Sequence, residues 1–153
     1  MDVHRKILPE QSYIYVDREC PFGPEIADAM GSAFAEVFGF VGQASLTPLS
    51  MPMAVYTVMD PKLLRFRGAV MVSPEDAAKA SGAIKAETLP AGDAMHAVHV
   101  GPYDNLNQTH RALWDYMGAE GIKGTMPVWE IYVDDPAETT PEDLRTEIYC
   151  AIE

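Results

Sequence analysis

Carboxylates set beside tyrosines on short alternating segments are the residues of this sequence best placed to do chemistry. In LRTEIYCAIE, Glu147 and Tyr149 alternate with Thr146, Ile148 and Cys150; in PVWEIYVDDP, Glu130 and Tyr132 alternate with Trp129, Ile131 and Val133. A carboxylate held away from water attracts an organic cation or, with its pKa raised, serves as a general acid or base. A tyrosine adds a flat apolar wall with a polar tip, suited to planar ligands and cation–π contact. The alternation predicts two strands, over 128–133 and 144–152, flanking an acidic proline-bounded loop. Paired as a hairpin with apolar matched to apolar, they put Glu130, Tyr132, Glu147 and Tyr149 on one face, expected to line a cleft. Trp129 then falls on the other, expected to be core against a helix; a bulge would reverse the two.

Other chemistry is poorly supported. His96 and His99 stand on one strand candidate with opposite parity, and His110 sits alone on a helix candidate. There is no zinc spacing, phosphate loop or nucleophile elbow, so neither a metal nor a cofactor is indicated. Cys20 and Cys150 lack metal spacing and any redox motif, and are expected as reduced core residues.

The elements that must position these groups occur twice. Leu8-Pro9 recurs as Leu89-Pro90, Pro21-Phe22 as Pro102-Tyr103, MPMAVYTVMDP as MPVWEIYVDDP and Leu64-Arg65 as Leu144-Arg145, all in the same order. Such self-similarity indicates duplication, with copies over about 4–73 and 85–153 of a single domain spanning 1–153. Each copy reads as strand, helix, strand, strand. The first strands are expected over 12–20 and 94–100, and the closing pairs over 53–59 with 64–72 and over 128–133 with 144–152. Gly23 and Pro24 open the first helix, whose stripe is Ile26, Met30, Ala33, Val37 and Val41 and which Gly39 or Gly42 ends. Asp104 is the expected N-cap of the second, with Leu106, Thr109, Leu113 and Met117 buried. Ser73 starts a short connecting helix. Segments 4–8 and 85–89 are expected as hairpin partners of the strands that follow them.

The fold class is therefore α+β: two tandem modules about a pseudo-twofold axis, antiparallel sheets with helices on one side, and a central ligand groove. Through the Leu-Arg landmark Arg67 corresponds to Glu147, where it is expected to lie across the groove as a counter-ion. Phe66 and Tyr56 are first-copy candidates for the opposing wall.

Composition narrows the partners. With 48% hydrophobic and 22% charged residues the chain is expected to fold as a globular protein. A net charge of −12 repels phosphate backbones, so direct nucleic-acid binding is not expected, and cations are favoured. No apolar run reaches the roughly 18 residues of a membrane helix and the first residues lack a signal-peptide core, giving a cytoplasmic, non-membrane expectation. Acid-rich surface also serves solubility. Either a monomer or a homodimer fits.

At Gly101-Pro102-Tyr103-Asp104, at Trp129-Glu130-x-Tyr132-x-x-Asp135-Pro136 and at Leu144-Arg145-Thr146-Glu147 the sequence resembles the GyrI-like family, the small-molecule-binding domains found also as effector-binding modules of AraC-type and MerR-type multidrug regulators. The resemblance implies two strand-helix-strand-strand modules around a cleft that takes lipophilic, often cationic aromatic compounds against a glutamate, which by motif position is Glu147. It also implies two other functions found in the family: cofactor-free hydrolysis of cyclopropane-bearing alkylating compounds, and inhibition of gyrase through a protein contact. No helix-turn-helix or basic segment accompanies the resemblance here. A binder, with Glu147 as counter-charge, and a hydrolase, with Glu147 as acid or base, use the same residue and remain open together. Action through a protein partner, gyrase inhibition or transcription co-regulation, is the third function left standing.

Overall fold

Strand pairing joins the two copies into one sheet. In a computed structural model that describes residues 2–58 and 60–153, eight strands form an antiparallel sheet. They are β1 (Val3–Leu8), β2 (Gln11–Pro21), β3 (Met53–Tyr56), β4 (Leu63–Met71), β5 (Lys85–Leu89), β6 (Gly92–Val100), β7 (Gly124–Tyr132) and β8 (Arg145–Ile152), in the order β1-β6-β8-β7-β3-β4-β2-β5. The expected strand over 53–59 stops at Tyr56, and Met59 lies outside the described residues. The pseudo-twofold axis passes between β3 and β7, which pair Ala54 with Glu130 and Val55 with Trp129. The two modules thus share a single sheet with α1 (Glu25–Gln43), α2 (Pro74–Ala77) and α3 (Leu106–Ala119) on one side.

The edge strands correct the hairpin expectation. β1 precedes β2 but pairs with β6, and β5 precedes β6 but pairs with β2. Each copy lends its leading strand to the other. This exchange bends the sheet, because β1 and β2 stand six positions apart, about 29 Å across a flat sheet at 4.8 Å per strand. Only Pro9 and Glu10 connect them, and a link of that length spans at most about 10 Å. Pro90 and Ala91 impose the same limit between β5 and β6. The sheet must curl, and its helix-free face becomes an interior, filled by Tyr13, Tyr15, Met53, Val55, Trp129 and Tyr149.

The helix-covered face holds two separate cores. Ala33, Val37 and Val41 of α1 pack on Ile14, Val16, Phe66 and Val70; Leu113 and Met117 of α3 pack on Met95, Ala97, Val128 and Ile148. Backbone approach is close under α1, where a Cβ at Gly68 would collide with that of Ala33. The helix stripes follow the 3.6-residue spacing read from sequence, but the caps differ. α1 runs through both Gly39 and Gly42 to Gln43, and the chain turns at Ser45 with φ 56°. Ser73 caps α2 as expected, its hydroxyl accepting from the Asp76 amide at 3.1 Å.

Asp104 does not cap α3. A 3-10 turn over Tyr103–Asn105 leads into that helix without a side-chain cap. The corner is held by buried His99 instead, whose Nε2 lies 3.0 Å from the Pro102 carbonyl and Nδ1 2.6 Å from the Thr109 hydroxyl. With Nε2–H donating to the carbonyl, Nδ1 accepts from the threonine, so the neutral ring satisfies both.

Candidate functional site

Where the two cores of the helix face meet, the sheet is polar. Among the described residues Tyr56 is the one packed against both cores, and beside it on β7 stands Glu130, 4% exposed. A carboxylate so far from water must be hydrogen-bonded or neutralised. Its Oε1 accepts from the hydroxyls of Tyr56 at 3.0 Å and Tyr132 at 2.7 Å, and its Oε2 lies 2.6 Å from His110 Nε2 on α3. Burial alone would push this carboxyl up, but His110, Tyr132 and Tyr56 together outweigh it and hold the group below its ordinary value. Burial, then the charge of Glu130, pushes both phenols well above theirs, so they remain neutral donors.

Aromatic rings flank Tyr132. Phe34 of α1 meets the edge of Tyr132 with centroids 5.7 Å apart, and Tyr103, at the approach to α3, meets it at 5.6 Å. Each helix region therefore sends one ring to the seam. The duplication explains why there is a single acid. Val55 pairs with Arg67 and Ile131 with Glu147, so Val55 corresponds to Ile131, Tyr56 to Tyr132 and Ala54 to Glu130. Ala54 and Glu130 are also direct cross-strand neighbours at the axis. A symmetric pair of glutamates there would be two buried like charges in contact; alanine leaves one carboxylate and both tyrosines to serve it.

Trp129 and Tyr149 lie on the opposite, inner face. Trp129 stacks on Tyr149 at 5.2 Å with rings 6° from parallel, because the register sets Trp129 opposite Tyr149 and Glu130 opposite Ile148. The expected shared face of Glu130, Tyr132, Glu147 and Tyr149 is corrected accordingly, as is the packing of Trp129 against a helix. From Val128 against Cys150 to Tyr132 against Thr146 the pairing is unbroken, so the parity is set by the register of this segment itself; the shift between Gly124 and Val128 lies before it.

Glu147 is a different kind of acid. Its side chain is 31% exposed, 3.1 Å from His96 Nε2 and 3.5 Å from the Tyr149 hydroxyl. Burial, assisted by Glu147, raises Tyr149 to about 12. Burial, then Lys6, lowers His96 despite the glutamate, and its Nδ1 is a buried atom without a hydrogen-bond partner. Arg67 does not meet Glu147 as expected. It donates to the Tyr13 hydroxyl at 2.8 Å, lies over the Tyr15 ring at 4.2 Å and approaches Asp17 at 3.8 Å.

Of the remaining candidates, Phe66 is buried in the core under α1 while Tyr56 reaches the acid. A hollow of about 440 Å³ opens on the inner side near Asp17, Glu19, Thr57, Arg65 and Arg67. Its arginines already face carboxylates, Arg65 with Glu19 and Asp60, Arg67 with Asp17, so volume alone does not mark a site there. Among the described residues no group of three or more His, Cys, Asp or Glu could hold a metal, and no helix is long and apolar enough to cross a membrane. Both cysteines are buried and free.

His110, Phe34 and Tyr103 are the seam residues that sequence reasoning passed over. No signal in the chain points to them; the match of Val55-Tyr56 with Ile131-Tyr132, after a one-residue shift within the MP…DP repeat, relates only the two tyrosines.

Comparisons agree with this architecture. The chain belongs to the GyrI-like family: the model of the GyrI-like small molecule binding domain matches residues 1–153. Among solved structures, EcmrR in its DNA complex is similar with TM-score 0.79 and 21% identity over 99% of this chain, which spans 57% of that protein. The EcmrR C-terminal domain alone gives 0.73 and 20%, covering 99% of this chain and 97% of that one. SAV2435 bound to tetraphenylphosphonium gives 0.68 and 17% over 100% and 94%. A hydrolase from Listeria innocua gives 0.64 and 19% over 99% and 91%. No curated protein matches the sequence.

Proposed function

We propose that this protein binds lipophilic aromatic cations at the seam between α1 and α3, with Glu130 as the counter-charge and Tyr56, Tyr132, Phe34 and Tyr103 as the wall. The observation that carries this is the placement of Glu130: a carboxylate almost closed to water, held ionised by three hydrogen-bond partners, beside a tyrosine that packs against both cores of the helix face. The charge of the chain favours cations in the same sense. A protein of this fold binds tetraphenylphosphonium, which makes that ion the natural first probe. Drug or toxin sequestration or sensing is the role such binding would serve. In fluorescence titration with tetraphenylphosphonium, Glu130→Gln is expected to lose about 2 kcal/mol or more, roughly thirty-fold in Kd, and Glu147→Gln little. An affinity indifferent to Glu130→Gln removes the counter-charge role, and a loss confined to Glu147→Gln moves the ligand to the inner face.

The Glu130–His110 contact favours a second function, cofactor-free hydrolysis, since a carboxylate and an imidazole at 2.6 Å can pass a proton to and from a strained electrophile or its attacking water. Turnover of a cyclopropane-bearing alkylating compound, abolished in Glu130→Gln, decides for catalysis. Saturable binding without product decides for the binder.

A further inference from the structure

The inner-side hollow of about 440 Å³ holds two arginines whose donors are largely unfilled. Arg65 and Arg67 stand two apart on β4, on one face and about 7 Å from each other along the strand. Arg67 is held from behind. Its Nη1 donates to the phenol of buried Tyr13 at 2.8 Å, and its guanidinium lies over the Tyr15 ring at 4.2 Å. Among the described residues that is its only hydrogen bond, and a guanidinium carries further N–H donors in a planar fork. The carboxylate beside it, Asp17, is 3.8 Å away and already meets Lys85 at 3.0 Å. Arg65 lies between Glu19 at 3.5 Å and Asp60 at 3.6 Å, and its side chain hydrogen-bonds to neither. Charge-assisted bonds run at about 2.7–2.9 Å, so each of these contacts is an attraction across a gap.

The second copy shows that the sheet itself does not require this arrangement. Strand pairing matches Asp17 opposite Arg67 with Val98 opposite Glu147, and Glu19 opposite Arg65 with Val100 opposite Arg145. There the two acids are replaced by exposed valines, and Arg145 is closed by Asp134, which accepts from Nε at 3.0 Å and from Nη2 at 2.9 Å. One sheet position thus carries a finished ion pair in one copy and an open arginine in the other. We propose that the hollow is a second ligand site, in which Arg67 and Arg65 together take the oxyanion group, a carboxylate or a phosphate, of a small molecule. Arg67, fixed by Tyr13 and Tyr15, presents its fork to the two oxygens, and Arg65, about half exposed, closes on the same group from the rim. Exposed Val58 offers the body of the ligand an apolar contact. Asp17 and Glu19 also line the hollow and repel an anion; short bonds to the guanidiniums replace the long contacts that these acids now make, and Lys85 keeps Asp17 paired. The site lies on the other side of the sheet from Glu130 and does not depend on cation binding there.

Nuclear magnetic resonance titration of the full chain with benzoate and with phenyl phosphate, at constant ionic strength, tests this through the arginine Nε–H signals. The signals of Arg65 and Arg67 are expected to shift and saturate while that of Arg145 stays in place. Saturation by benzoate alone assigns the site to carboxylates, and by phenyl phosphate alone to phosphates; either supports it. Arg67→Gln is expected to weaken binding about tenfold or more, and Arg145→Gln to leave it unchanged. No saturable shift with either probe, shifts that sodium chloride reproduces, or full affinity in Arg67→Gln overturns the proposal. If Arg67→Gln fails to fold, the wild-type signals decide alone.

Discussion

Glu130 and Glu147 sit on adjacent strands of one sheet, yet they are acids of opposite kinds. Glu130 is enclosed, bound by two phenols and an imidazole, and faces the helices; Glu147 is partly exposed, meets one imidazole and a distant phenol, and faces the curled interior. Residue type is the same. What differs is which side of the sheet each strand turns outward and how many donors converge there. A carboxylate becomes a stable buried charge only when its lone pairs are filled by the fold itself, and the seam does this by drawing Tyr56 and Tyr132 from equivalent positions of the two copies.

The contrast can be broken most severely at the axis. Ala54→Glu would set a second carboxylate against Glu130 at a position with no exposure, and it is expected to cost several kcal/mol at neutral pH, with partial recovery in acid, measured by urea unfolding. Next, Glu130→Ala orphans two phenols and an imidazole and is expected to destabilise by about 2–3 kcal/mol, whereas Glu147→Ala, whose charge is partly screened, costs less than about 1 kcal/mol. Equal losses from the two would erase the distinction.

The smallest effect is in the pH dependence. His96 is held below its ordinary 6.5, so the folded state resists its protonation: its contribution is complete above that value and is lost as pH falls below it. Glu130 is held below 4.5, so its contribution is complete above that value and is lost as pH falls through its lower folded-state value. Unfolding free energy is expected to decline in two stages on acidification, the first removed by His96→Gln and the second reduced by Glu130→Gln. Asp60 and Asp134, also held low, leave a residual acid slope in both variants.

Much of the architecture could be read from the chain alone, because duplication, period-two alternation and helical stripes are local properties of sequence. Ala33, Val37, Val41, Leu113 and Met117 are buried as their spacing requires. The aromatic and acidic residues of PVWEIY were recognisable as the chemically interesting ones, and the GyrI-like resemblance was carried by residues that were all in view. Alternation, however, fixes only which residues of a strand share a face, not which face that is. Matching apolar Trp129 to apolar Ile148 assumed one wet side, but here both sides are covered, one by helices and the other by the sheet's own curl.

Sequence by itself thus determined the two copies, their elements and the family. Tertiary structure alone decided that β1 and β5 change places, that the register of β7 on β8 turns Glu130 beneath the helices, and that His110 meets its carboxylate while Tyr103 meets Tyr132. The physical reason is that these outcomes depend on register and on contacts between residues distant in the chain. His110 and Glu130 meet through packing of α3 on the sheet, and no spacing along the chain encodes that distance.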